Sequence, residues 1–149
     1  MPIRGIAALL LGLGFPAIAV AEDAKLVVLP DQVVWQDVGG GLELAVLIGD
    51  ITKSEPYVER VRFAPGAEFP LHTHPNTEVV TVLSGAFGST FDSTDKAKGQ
   101  ILLPGSVLVV PGGTAHFVWA GDEGAVVQVH GMGPDEATLI DPATGHPKH

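Results

Sequence analysis

Short apolar runs, each closed by glycine or proline, set the first limit on this chain. Residues 42–48 (LELAVLI), 57–63 (YVERVRF), 78–83 (EVVTVL), 107–110 (VLVV), 115–119 (AHFVW) and 125–130 (AVVQVH) are rich in β-branched and aromatic side chains. Turn-forming residues follow them: Gly49-Asp50, Pro65-Gly66, Ser84-Gly85, Pro111-Gly112-Gly113, Gly121 to Gly124 and Gly131. Such runs recur about every ten residues, and no stretch sustains a helical period, so the expected fold is all-β, a sandwich or barrel. The 19 glycines and 12 prolines supply that punctuation. Residues 25–29 read as a first strand and 86–91 as the hairpin partner of 78–83. Residues 93–99 read as a loop, 101–103 as a short run before Pro104-Gly105, and 137–140 as a short pairing in a looser tail. There is no internal repeat, low-complexity segment or linker, so one domain is the simplest reading.

The first 21 residues stand apart. Arg4 precedes an uncharged apolar stretch over 5–18, Ala19-Val20-Ala21 is a small-x-small site, and Glu22-Asp23 opens a polar chain. That is the layout of a secretory signal peptide, with cleavage after Ala21. The stretch is shorter than the roughly 20 residues of a bilayer span. The expected organisation is therefore a signal peptide over 1–21 and a single domain over 22–149, secreted or periplasmic. Cleavage leaves seven basic and 17 acidic residues, a formal charge of −10. Such a surface repels nucleic acid and anionic lipid, so neither is expected as a partner. The chain has no cysteine. A secreted domain of this kind depends on burial rather than disulfides, and any metal must be held by nitrogen and oxygen.

Chemistry concentrates in two places. His72 and His74 are two residues apart, and in an extended chain such residues face the same way, so both imidazoles can converge on one ion. Pro75-Asn76 permits a bend. Glu78 then opens an apolar strand, where a buried carboxylate needs a cation close by. Further on, Pro111-Gly112-Gly113 turns the chain and returns it as a strand carrying His116. Alone, His116 reads as a surface or core histidine. Together the pair, the acid and the third histidine point to a metal centre formed by His72, His74, Glu78 and His116.

These residues resemble both signature motifs of the cupin superfamily. The first runs Gly66, five residues, His72-Thr73-His74, three residues, Glu78, six residues, Gly85. The second runs Gly105, five residues, Pro111, Gly113, two residues, His116, and departs at Ala120, where the family often has Asn. The resemblance covers about residues 56–134 and is similar to small secreted one-domain cupins. It implies a jelly-roll β-barrel with an ion in its mouth. It also implies pairing as a homodimer, with 26–48 packing on a partner.

Other residues are candidates for the pocket. Gln128 and His130 share one face of the last run and are expected inside, near the ion, where they would bind a substrate. The alternative is that Val127 and Val129 point inward. Phe63 is a candidate pocket wall or an ordinary core residue. Arg60 and Arg62 also share a face, which is expected to be solvated. Phe117 and Trp119 alternate away from His116 and are expected between layers or at a subunit interface.

Three neutral nitrogens and one carboxylate leave a six-coordinate divalent ion with two open positions, a catalytic rather than a structural layout. Fe(II), Mn(II), Ni(II), Co(II) and Zn(II) all suit these ligands. The resemblance implies a dioxygenase of small enolisable or carbonyl compounds, with Glu78 as catalytic base. A non-enzymatic metal or small-molecule binding protein and a metal-dependent isomerase or lyase stand as alternatives, since fold alone does not choose.

Overall fold

The computed structural model describes residues 27–148. The segment read as a signal peptide lies outside them. Nine strands follow: β1 (Gln36–Gly39), β2 (Leu42–Ile48), β3 (Pro56–Phe63), β4 (Glu68–Thr73), β5 (Glu78–Phe91), β6 (Gln100–Leu102), β7 (Val107–Val110), β8 (His116–Met132) and β9 (Thr138–Leu139). Single 3-10 turns at Pro30–Gln32 and Lys96–Lys98 are the helical content among the described residues. Residues 27–29 are not a strand, and 25–26 lie outside the described range.

The two long strands organise the rest. β5 and β8 run antiparallel from Glu78↔Gly131 through Gly85↔Ala125 to Phe91↔His116, with register shifts between Val82 and Ser84 and between Gly85 and Phe87. Residues 86–91 therefore do not fold back onto 78–83 as a hairpin, as the Ser84-Gly85 turn signal suggested. Both halves pair with β8 instead. The first half of β5 and the second half of β8 carry β7 and β3 on their outer sides. The second half of β5 and the first half of β8 carry β6 and β4. Beyond these, β1 and β2 extend from β3, and β9 flanks β4.

Two side-chain positions show that this long pair doubles over. Glu78 and Phe91 are the two ends of the 14-residue β5, about 43 Å apart in an extended strand. Yet Glu78 Oε2 lies 3.9 Å from Nε2 of His116, the partner of Phe91. The pair is creased where Gly85 and Gly124 meet, both with positive φ (+73° and +79°). A Cβ on Gly85 would lie 2.1 Å from the Gly124 carbonyl oxygen, so only glycine fits this backbone approach. The crease lays one sheet half over the other and gives the jelly-roll barrel that the sequence led us to expect.

The space between the halves is the core. Strand alternation sends Val80 and Val82 of β5, Val127 and Val129 of β8, and Tyr57 and Phe63 of β3 inward, joined by Phe87, Val118, Leu42 and Leu44. Phe63 and Phe87 meet edge to face at 5.5 Å near the crease. Burying each such side chain stabilises the fold by roughly 1.5–3 kcal/mol. Phe117 and Trp119 point the other way. They stack at 5.4 Å and form a second cluster with Leu71 and Ile140. The tail covers them from outside, so they do not pack between the layers. Ala120, where the second motif departs from its pattern, continues β8 as a buried residue. Its N–H donates to the Ala67 carbonyl at 2.9 Å.

Candidate metal centre

At the open end, opposite the crease, four side chains converge from three segments. His72 on β4 and His116 on β8 are register partners. Their rings lie 4.0 Å apart, centroid to centroid. His74 follows β4, with its ring 4.8 Å from that of His72 and 5.5 Å from that of His116. Glu78 opens β5, with Oε1 3.5 Å from His74 Nε2 and Oε2 3.9 Å from His116 Nε2. The turn of the second motif docks on the first: Gly113 N–H donates to the His74 carbonyl at 2.8 Å, and Gly112 N–H to Thr77 Oγ1 at 3.3 Å. A Cβ on Gly112 would lie 2.6 Å from the Pro75 carbonyl oxygen. This contact brings His116 to the pair despite its distance along the chain.

The orientation of two histidines is fixed by their own backbone. His72 Nδ1 lies 2.7 Å from the Pro70 carbonyl and His116 Nδ1 lies 3.1 Å from the Thr114 carbonyl, each two residues back. A carbonyl accepts only, so each Nδ1 carries the proton and each Nε2 keeps a free lone pair. His74 has no such carbonyl. Its Nδ1 lies 2.7 Å from Asp135 Oδ1 instead.

Electrostatics follow from burial. His72, at 2% exposed, is pushed down to about 2 by burial and by the neighbouring His116 and His74. Burial likewise lowers His116 to about 4. Both are therefore neutral donors at physiological pH. Burial also disfavours charge on His74, but the Asp135 and Glu78 carboxylates outweigh it and raise its pKa. Burial lifts Glu78 to about 8, against the pull of His74. Tyr57 Oη, itself raised by burial, donates to Glu78 Oε1 over 3.5 Å.

Two further acids lie beside this group, and neither was singled out from the sequence. Asp135 sits in the loop after β8 and is held below its usual range by His74, although burial acts the other way. Glu59 of β3 is 3% exposed, and burial and Asp135 raise it well above the ordinary carboxylate range. Its Oε2 has no hydrogen-bond partner, and neither Asp135 Oδ1 nor His74 Nδ1 has an aligned one. Glu59 carried a readable signal, since 57, 59, 61 and 63 share one face of β3. Asp135 carried none, because only the fold brings residue 135 to residue 74.

Three carboxylates thus lie at a buried site, and among the described residues no lysine or arginine pairs with them. A divalent cation suits this imbalance, and the donors suit a divalent ion. Ring nitrogens of His72, His74 and His116 lie within 4.8 Å of one another, and so do a ring nitrogen of His74 and carboxylate oxygens of Glu78 and Asp135.

The remaining candidates are not brought to the site. Register with Glu78 settles the face of the last strand: Val80↔Val129 and Val82↔Val127 are inward pairs, so Thr81↔Gln128 and Val79↔His130 face outward. His130 is exposed, and Gln128 accepts a hydrogen bond from Arg60 Nε at 3.1 Å. The expected inner placement of both is corrected. Phe63 faces inward, but six residues beyond Tyr57 on β3, roughly 20 Å along the strand from the site. It is a core residue at the crease. Arg60 and Arg62 lie on the outer face as expected, with Arg62 paired to Glu43 at 2.9 Å and stacked 4.0 Å over Trp35.

The fold and the converging side chains define a small jelly-roll with a candidate three-histidine, one-glutamate metal centre. A cupin-domain family model matches residues 59–131, and the chain belongs to the cupin superfamily. Germin-like protein subfamily 1 member 7 of Arabidopsis thaliana is 33% identical over 94 residues, covering 58% of this chain and 41% of that protein. Germin-like protein 4-1 of Oryza sativa subsp. japonica is 40% identical over 65 residues, covering 39% and 26%. The chain thus spans less than half the length of these relatives. Among solved structures, an RmlC-like cupin from Shewanella frigidimarina superposes with a TM-score of 0.61 at 23% identity, covering 73% of this chain and 91% of that one. The polyketide cyclase RemF from Streptomyces resistomycificus gives 0.68 at 18% identity, covering 79% and 87%. These likenesses speak to the fold.

Proposed function

We propose that this cupin is a secreted metal-dependent oxidoreductase, a dioxygenase of small enolisable or carbonyl compounds. The observation that carries the reading is the convergence of two backbone-oriented imidazoles, His74 and the Glu78 carboxylate on one buried point. His72, His74, His116 and Glu78 would hold one divalent transition metal, Fe(II), Mn(II), Ni(II), Co(II) or Zn(II). Such an ion supplies Lewis acidity and, when redox-active, an electron path to dioxygen. The protein's own groups supply the remainder. His72 and His116 stay neutral and fixed, so they cost no proton loss on loading. Glu78, kept ionised by such an ion, would take a proton from an enolisable carbon and hold it at Oε1 or Oε2. Tyr57 Oη steadies the charged form of that carboxylate. Exposures of 4–11% for the His116, Glu78 and His74 side chains restrict the ligand to a small molecule presented end-on. Export rests on the signal-peptide layout of residues 1–21, and exported protein is expected to begin at Glu22.

One observation favours a second reading, a non-enzymatic metal or small-molecule binding protein. Two clefts, of about 510 and 460 Å³, lie away from the metal centre, one at the crease beside Phe63 and Gly85, the other on the outer face beside Leu71 and Phe117. Oxygen uptake separates the two readings. Protein loaded with Fe(II) or Mn(II) is expected to consume dioxygen with at least one member of a panel of 1,3-diketones, flavonols and short α-keto acids. Loading with a full equivalent of each redox metal and no uptake with any compound would favour the binding protein.

A further inference from the structure

We propose that Asp135 is a positioning residue for His74. This rests on the metal reading above. Two of the three histidines are oriented by the carbonyl two residues behind them, Pro70 for His72 and Thr114 for His116. His74 lies beyond the end of β4 and has no equivalent. Asp135 takes that role from a distant part of the chain, at 2.7 Å from Nδ1. An acceptor there puts the proton on Nδ1 and leaves Nε2 facing Glu78, and a carboxylate makes Nε2 a stronger donor than a carbonyl would.

Asp135 is anchored for this purpose. Its N–H donates to the Ile51 carbonyl at 2.7 Å, and the N–H of Gly133 to the Glu55 carbonyl at 2.9 Å. Asn76 Nδ2, two residues beyond His74, reaches the Pro134 carbonyl at 3.5 Å. The loop after β8 is thus tied to the segment before β3 and to the histidine turn.

The test is Co(II) titration, followed by absorption, of the full-length mature protein. Wild type is compared with Asp135→Asn and His74→Ala, each checked for folding by its melting curve. Wild type is expected to take one equivalent. Asp135→Asn is expected to bind about 10–100-fold more weakly and to shift the Co(II) bands. The zinc-loaded protein gives an independent readout. In its ¹⁵N-edited proton spectrum, Asp135→Asn is expected to move the His74 Nδ1–H resonance and leave those of His72 and His116 in place. Wild-type affinity and an unmoved resonance in Asp135→Asn, with binding lost in His74→Ala, would overturn the proposal and leave the metal reading standing. No Co(II) uptake by wild type would remove the metal reading and this proposal together.

Discussion

His72 and His116 sit opposite one another in the β4–β8 register, with ring centroids 4.0 Å apart, and each ring is held by the carbonyl two residues behind it. The two strands therefore deliver a matched pair of donors. Replacing either by alanine is expected to weaken divalent-metal binding by at least about 100-fold, more than the loss of a supporting group. Competition titration against a chelator of known affinity measures this. A loss below tenfold in both variants would mean that these rings are packing residues.

Acid–base behaviour gives a second prediction. Glu78 is raised from 4.5 to about 8 in the folded chain, so the folded state keeps a proton that the unfolded state has released. Its contribution to stability therefore falls as pH rises across that window. His72 and His116, lowered from 6.5 to about 2 and about 4, act in the opposite sense: the unfolded state takes protons first as pH drops below 6.5. Below 6.5 the two slopes oppose each other. Above it the acids remain, joined by the raised His74. Metal-free protein is expected to lose stability steadily from about pH 6.5 to 8. Metal-loaded protein, with Glu78 ionised against the ion, is expected to lose little over the same range. Urea unfolding at stepped pH, with and without metal, reads both slopes.

Metal removal gives a third. Any ion that binds only the folded state adds about 2.7 kcal/mol when its free concentration is 100 times Kd. For a domain of this size that corresponds to a melting temperature higher by roughly 10 °C, since each kcal/mol is worth about 4–8 °C in domains of 60–100 residues and about 2–4 °C in those of 150–250. Calorimetry before and after chelation measures it, and an unchanged melting point would mean that no ion had been bound.

The crease gives a fourth. Gly85→Ala would drive a Cβ into the Gly124 carbonyl oxygen at 2.1 Å and hold alanine at φ +73°. It is expected to destabilise the fold by about 3 kcal/mol or more. Gly66→Ala, at φ +68° with open space around it, is expected to lose only about 1–2 kcal/mol. Equal losses in denaturant unfolding would mean that the crease carries no special packing.

Much of the site was legible in the sequence because its signals are local. The i, i+2 rule places His72 and His74 together, and an acid at the head of an apolar strand marks Glu78. Face and distance were harder. Alternation showed that Gln128 and His130 travel together but left their side open, and only the register with Glu78 turns them outward. Phe63 was rightly read as apolar, yet its position along β3 separates it from the site. Ser84-Gly85 looked like a hairpin turn because a crease and a turn use the same residues. The difference lies in pairing, since both halves of β5 bond to β8. Asp135 stayed hidden because nothing near it in the chain reports its contact with His74. The outward assignment is itself testable: Gln128→Ala and His130→Ala are expected to leave metal affinity within about twofold of wild type, well inside the range of a supporting group.

The most direct measurement is the metal content of protein purified from its own host, beside Glu78→Ala and the double variant His72→Ala/His116→Ala. Elemental analysis is expected to find close to one divalent transition metal per wild-type chain and almost none in the double variant. Equal metal in all three proteins would contradict a centre built from His72, His74, Glu78 and His116.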